Sequence, residues 1–194
     1  MELGGKIICA FALALGIGQA DAAKSVTVLL YNYAQVPYAK LADAEAFAAR
    51  SYRAAGIELT WVECSVSADG SEIFRICEQA NQGGLVFLGL IPETMAADIR
   101  GSSKSDDFLG IADVSHAFVV YARVREVARS WGVPEYLILG RTMAHELGHV
   151  LLGGNSHSAA GLMRPRIVRQ DLSLESGQFL FDPKQAKRLR VPLR

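Results

Sequence analysis

The chain has 194 residues, 51% of them apolar and 21% charged, proportions that exclude wholesale disorder and suit a single domain with a sizeable core. Twenty lysines and arginines balance 20 aspartates and glutamates, so the formal net charge is zero. A polyanion binder carries a basic domain or stripe, and no nucleic-acid partner is therefore expected.

In chain order, Lys6 is followed by an apolar run from Ile7 to Gly18 and then by Ala20-Asp21-Ala22-Ala23. A short basic start, an apolar stretch of this size and an Ala-x-Ala site read as a signal peptide over residues 1–23, cleaved after Ala22 or Ala23. The apolar run falls well short of the ~20 residues needed to span a bilayer. Cys9 lies inside it, where a lipoprotein-type anchor does not place its cysteine. The expected product is one domain, 24–194, secreted or periplasmic and without stable membrane insertion. It carries 19 basic against 18 acidic residues, since Glu2, Lys6 and Asp21 leave with the signal peptide.

Ser25 to Tyr33, rich in Val, Leu and Tyr, reads as a strand. Pro37 precedes a helical stretch, Tyr38 to Ala55. There Leu41, Ala44, Ala48, Ser51 and Ala55 recur at three- and four-residue steps and give one buried stripe. Gly56 stops it, and Ile57 to Glu63 is a second strand. Asp69-Gly70 marks a turn within Ser65 to Ser71. Cys64 and Cys77 are an even pair in an exported chain and are expected to form one disulfide, worth roughly 3 kcal/mol by loop entropy; buried free thiols are the alternative. Their spacing is far wider than the gaps of structural zinc sites.

Leu85 to Ile91 is a continuous apolar strand ended by Pro92, and Gly101 to Asp107 is a polar loop. Phe108 to Asp113 and His116 to Arg123 are short strand candidates, close enough to pair antiparallel. A long helix runs from Pro134-Glu135 to Leu152, where Gly153-Gly154 stops it. Beyond Pro165 the tail holds one or two short helices, one of them opened by Asp182-Pro183. Lys184, Lys187, Arg188, Arg190 and Arg194 read as a solvated helix face.

The chemistry concentrates in the long helix. His145 and His149 stand four residues apart, so both imidazoles lie on one face roughly 6 Å apart and can hold one metal ion. Glu146 leans beside that ion and can accept a proton from its water, which is the physical content of the H-E-x-x-H signature. A catalytic zinc usually takes three protein ligands and keeps one open position. Gly153-Gly154 lets the chain turn back, and His157 arrives on the returning segment as the natural third ligand. His116, at the start of a strand, reads as structural or surface.

The stretch from His145 to Pro165, HELGHVLLGGNSHSAAGLMRP, resembles the metzincin zinc peptidases and most closely the matrixin zone. His145, His149 and His157 match the ligands, Glu146 the general base, Ser158 the serine after the third ligand and Met163 the Met-turn methionine. Two residues are extra: the family's glycine and third histidine would fall on Leu152 and Asn155. Asn155 is thus a rival ligand, although a neutral amide is a poor one for zinc, and Glu175 would serve in a gluzincin-type site. Arg164 stands where matrixins have tyrosine.

The resemblance implies an α+β fold with a mixed, mostly parallel twisted sheet, a backing helix, an active-site helix and a small helical C-terminal part. The upper part would be 24–153 and the lower part 154–194. It implies a secreted zinc-dependent endopeptidase with one catalytic Zn2+, acting on a peptide or protein through a zinc-bound water with Glu146 as base. The Phe108–Asp113 strand would bind substrate backbone if it is the sheet edge. A secreted zinc- or partner-binding module without turnover, and a hydrolase of non-peptide amides, are the rival functions.

Overall fold

The computed structural model describes residues 24–64, 77, 85–154, 156–172 and 179–191. The expected signal peptide, the Asp69-Gly70 turn, the 101–107 loop, Asn155, Glu175 and Arg194 lie outside them. Among the described residues five strands form one sheet: β1 (Lys24–Asn32), β2 (Ile57–Cys64), β3 (Leu85–Ile91), β4 (Gly110–Ala112) and β5 (His116–Val120). Their order is β2-β1-β3-β5-β4. The first four of these run parallel, and β4 joins β5 antiparallel at one edge, with Ile111 opposite Phe118.

The period of two along each strand divides the molecule. Val26, Val28 and Leu30 of β1 point into the main core with Val86, Leu88 and Leu90 of β3 and Ala117 and Val119 of β5. Leu29 points the other way, onto Cys64 and Cys77. Those cysteines are joined, their Cα atoms 5.9 Å apart, and the bridge ties Cys77 to the end of β2 on the far face of the sheet.

Two long helices cover the main core face. The stripe read from the sequence is buried in α1 (Tyr38–Ala54), through Leu41, Ala44, Ala48 and Ser51, and Phe47 and Tyr52 join it. The other is α4 (Glu135–Leu152). At Gly140 a Cβ would meet the Ala44 carbonyl oxygen at 2.5 Å, so glycine is what lets the two axes close up. The Tyr52 hydroxyl donates to the Ala144 carbonyl at 3.0 Å and ties the pair together one residue before His145.

Two helices depart from the sequence reading. Pro92 ends β3 but also opens α2 (Glu93–Arg100), its carbonyl accepting from the Met95 and Ala96 amides. The strand expected to reach Arg123 ends at Val120, and Tyr121 begins α3 (Tyr121–Trp131). The run of valines and aromatics before Tyr121 favours a strand. Burial of Tyr121, Val124 and Ala128 at helical steps decides the other way, and left-handed Gly132 closes the helix.

After α4 the chain passes a 3-10 turn (Arg169–Leu172) and ends in α5 (Pro183–Arg190). Asp182 caps α5 as expected, in a capping box completed by Gln185. Its basic face is not purely solvated. Arg188 donates to the Leu152 carbonyl at the end of α4, and Arg190 to the Ala55 carbonyl at the end of α1. Lys24 reaches back from β1 to the Leu189 and Val191 carbonyls at 2.9 and 2.7 Å. No described helix is long and apolar enough to cross a membrane.

Candidate metal centre

Three of the four histidines converge. One ring nitrogen each from His145, His149 and His157 lies within 4.8 Å of the other two, and no other such group of three occurs among the described residues. The Nε2 atoms of His145 and His149 are 3.1 Å apart. The ring of His157 stands 5.5 Å from that of His145 and 4.6 Å from that of His149. His116 lies apart from them, in the turn where its amide and that of Ser115 donate to Asp113.

Each helix-borne ring is fixed through its outer nitrogen. His145 Nδ1 donates to the Leu162 carbonyl at 2.8 Å, which leaves Nε2 with a free lone pair facing the cluster. His149 Nδ1 lies 2.9 Å from the Ser156 hydroxyl, and donation to that oxygen frees its Nε2 likewise. Ser156 is buried, and its carbonyl accepts from Gln185 at 2.9 Å. The α5 cap thus supports the serine that orients His149. Nothing in the motif spacing marks Ser156 or Gln185; both roles arise from how the tail folds back.

Burial also sets the protonation states. Desolvation drives His145 down to about 3, with the Arg141 guanidinium and the other two imidazoles acting in the same direction against the Leu162 hydrogen bond. His149 falls to about 4, again chiefly by desolvation, with His157 adding to it. Both rings are therefore neutral at neutral pH, the form that binds a metal. The donor set suits a borderline cation such as zinc: three imidazoles, two with oriented outer nitrogens, lining one cleft.

Glu146 sits next to the cluster and is 6% exposed. Burial pushes its carboxyl up to about 8, partly opposed by Arg141. The edge strand holds it in place. A Cβ on Gly110 would meet Glu146 Oε1 at 2.7 Å, so any larger residue there would displace the carboxylate. Met163 lies under the helix, fully buried, with its sulfur packed where a Cβ on Gly148 would be. The turn carrying it is closed by Ser158, whose amide donates to the Met163 carbonyl at 3.0 Å and whose hydroxyl donates to Ala160 at 2.7 Å.

Arg141, one turn before His145, lies in the same cleft and is almost wholly buried. A charged residue on the apolar face of that helix was the available sequence signal for it. Asp171 answers it from the 3-10 turn at 3.6 Å and also pairs with Arg164 at 3.2 Å. The cleft encloses about 600 Å³ and is bounded by β4, α3, α4 and the segment after Met163.

No protein-family profile matches the chain, and no curated protein matches it. Solved structures do share its fold. A zinc-dependent peptidase from Methanocorpusculum labreanum is 13% identical, with a TM-score of 0.55 over 84% of this chain and 100% of its own. An archaemetzincin from Methanopyrus kandleri is also 13% identical, with a TM-score of 0.51 over 86% of this chain and 94% of its own. At such identity the likeness is one of fold. It places the mixed sheet and its helices among structures of zinc peptidases and does not single out the matrixin type.

Proposed function

We propose that this chain is an exported zinc-dependent endopeptidase of metzincin type, with His145, His149 and His157 as metal ligands and Glu146 as general base. The convergence of three imidazole nitrogens within 4.8 Å, beside a buried carboxylate in one cleft, carries this reading. The fold shared with two zinc peptidases supports it. A bound zinc ion supplies Lewis-acid polarisation of a carbonyl and acidification of water.

The chain's own residues do the rest. Glu146 takes a proton from the attacking water and returns it to the leaving amine. Its raised affinity for a proton in the metal-free protein reflects burial, and a divalent cation alongside favours the ionised form that a base needs. β4 is a sheet edge, as the resemblance implied, with no strand on its outer side among the described residues. An extended substrate adds to that edge and lies across the cleft, its backbone fixed by strand pairing. Met163 forms the floor beneath the histidines. Residues 1–23 direct export.

Hydrolysis of a mixed peptide library, with and without chelator, tests the reading beside Glu146→Ala. Wild type should cleave, chelator should abolish cleavage, and Glu146→Ala should lose roughly 10²–10⁴-fold in rate while keeping its zinc. Equal cleavage by the variant overturns the role of Glu146. One bound zinc with no cleavage of any peptide points instead to a binding module.

A further inference from the structure

The cleft that holds the histidines is lined by two further, unlike sets of side chains. Leu109, Val127 and Trp131 make one apolar. Arg141, Arg164 and Arg166 make the other cationic. Asp171, 1% exposed, is the single carboxylate among the described residues that pairs with two of these guanidiniums, 3.6 Å from Arg141 and 3.2 Å from Arg164, and it also accepts from the Val168 amide at 3.0 Å.

Arg141 is spent within the protein, although its buried Nε has no partner among the described residues. Its remaining contact is a 3.4 Å hydrogen bond to the Gly161 carbonyl. This pair pins the 3-10 turn to α4 and accounts for Arg141 and Asp171. It leaves Arg164 and Arg166 unexplained. Arg164 is one-third exposed and shares a carboxylate already engaged. Arg166 is exposed, and no described carboxylate pairs with it. Glu146, the one acid among the described residues that line the cleft, is held against Gly110. The cleft therefore presents two guanidiniums with positive charge to spare, in a concave site where attraction is less screened than on an open surface. Planar guanidinium forks match carboxylates bidentately.

We infer that Arg164 and Arg166 select a carboxylate on the substrate, so that bonds with an aspartate, a glutamate or a free C-terminus a few residues away are preferred. Arg141 acts as a positioning residue, holding Asp171 where it orients Arg164. This inference rests on the peptidase reading.

The test uses the zinc-loaded full chain and fluorogenic peptides that differ at one position, scanned on both sides of the cleaved bond as Glu, Gln or Lys. Each is made with a free and an amidated C-terminus. Glu should exceed Gln by about tenfold in kcat/KM at one or two positions, through KM, with Lys lowest, and the gap should narrow toward ~0.5 M salt. Arg166→Glu should reverse the order of Glu and Lys. A preference confined to free C-termini makes the chain terminus the source of the carboxylate. A second arm measures binding of the Glu and Gln peptides to zinc-loaded Glu146→Gln by calorimetry. If wild type cleaves nothing but the Glu peptide still binds more tightly, the peptidase reading falls and the carboxylate site stands. Equal cleavage, or equal binding where nothing is cleaved, overturns the inference.

Discussion

The candidate metal centre has a helical half and a loop half, and the two are held by different means. His145 and His149 ride on α4, which is wedged between α1 and the sheet, and each has its outer nitrogen tied down. His157 stands beyond the Gly153 turn, is exposed, and comes from a segment whose course depends on α5. The helical half is thus set before a metal arrives, since the four-residue spacing and core packing fix two rings at once. On the proposed ligand set, the loop half closes the site and carries the tuning. Substitutions in the helical half should remove the metal, and substitutions in the loop half should weaken it by degrees.

The largest effect is expected from His149→Ala. Zinc content after dialysis, measured by elemental analysis, should drop from one per chain to a trace, with hydrolysis lost alongside. His157→Ala should lower zinc affinity less steeply, roughly 10²–10³-fold, because two fixed imidazoles remain. Competition with a chromogenic chelator gives both values. Asn155→Ala should leave affinity unchanged. If it weakened zinc more than His157→Ala does, the third-ligand assignment would pass to Asn155.

Ser156→Ala should cost about tenfold in zinc affinity, at the low end of the ~10–100-fold usual for a group that orients a ligand. Gln185→Leu should reproduce part of that loss, since its bond to the Ser156 carbonyl is buried. If Ser156→Ala left affinity intact, His149 would be fixed by the helix alone. Met163→Ala tests the packing beneath α4 at Gly148. Truncating a fully buried methionine should cost about 2–4 kcal/mol in denaturant unfolding, with zinc affinity changed only a few-fold.

The same division governs how much was legible in the sequence. α4, α1 and the first three strands follow from local periodicity, and the His145–Glu146–His149 arrangement is a helical spacing that packing cannot alter. The antiparallel pairing of β4 with β5 followed from the short gap between the two segments, whereas its edge position came only with the resemblance. What escaped depends on chain segments distant in sequence. Ser156 is defined by Gln185, 29 residues on, and Glu146 is positioned by Gly110 on another element. Tyr121–Arg123, the first turn of α3, reads as strand because a β-branched and aromatic run continues into a helix whose apolar steps begin only at its first residue. Local propensity favoured the strand, and packing against α4 overrode it.

The smallest effect supplies the comparison's zero, and it lies on α1, away from both halves. Burial, reinforced by the nearby Glu63 charge, raises the Glu45 carboxyl to about 7, and its Oε1 is buried with no partner among the described residues. Because the folded value lies above the unfolded one, the native state holds this proton more tightly. Its contribution is fully present below about pH 4.5 and is lost as pH rises through 7. Glu45→Gln removes that loss. At saturating zinc it should melt with wild type near pH 4.5 and about 2 °C higher at pH 8, a modest gain because the group is only partly buried. Zinc affinity should not move at either pH. A gain that was equal at both would mean that the side chain's shape, and not its charge, set the difference. A change in zinc affinity would mean that α1 and α4 transmit strain to the histidines, and the helical half would then be less independent of its surroundings than the loop half.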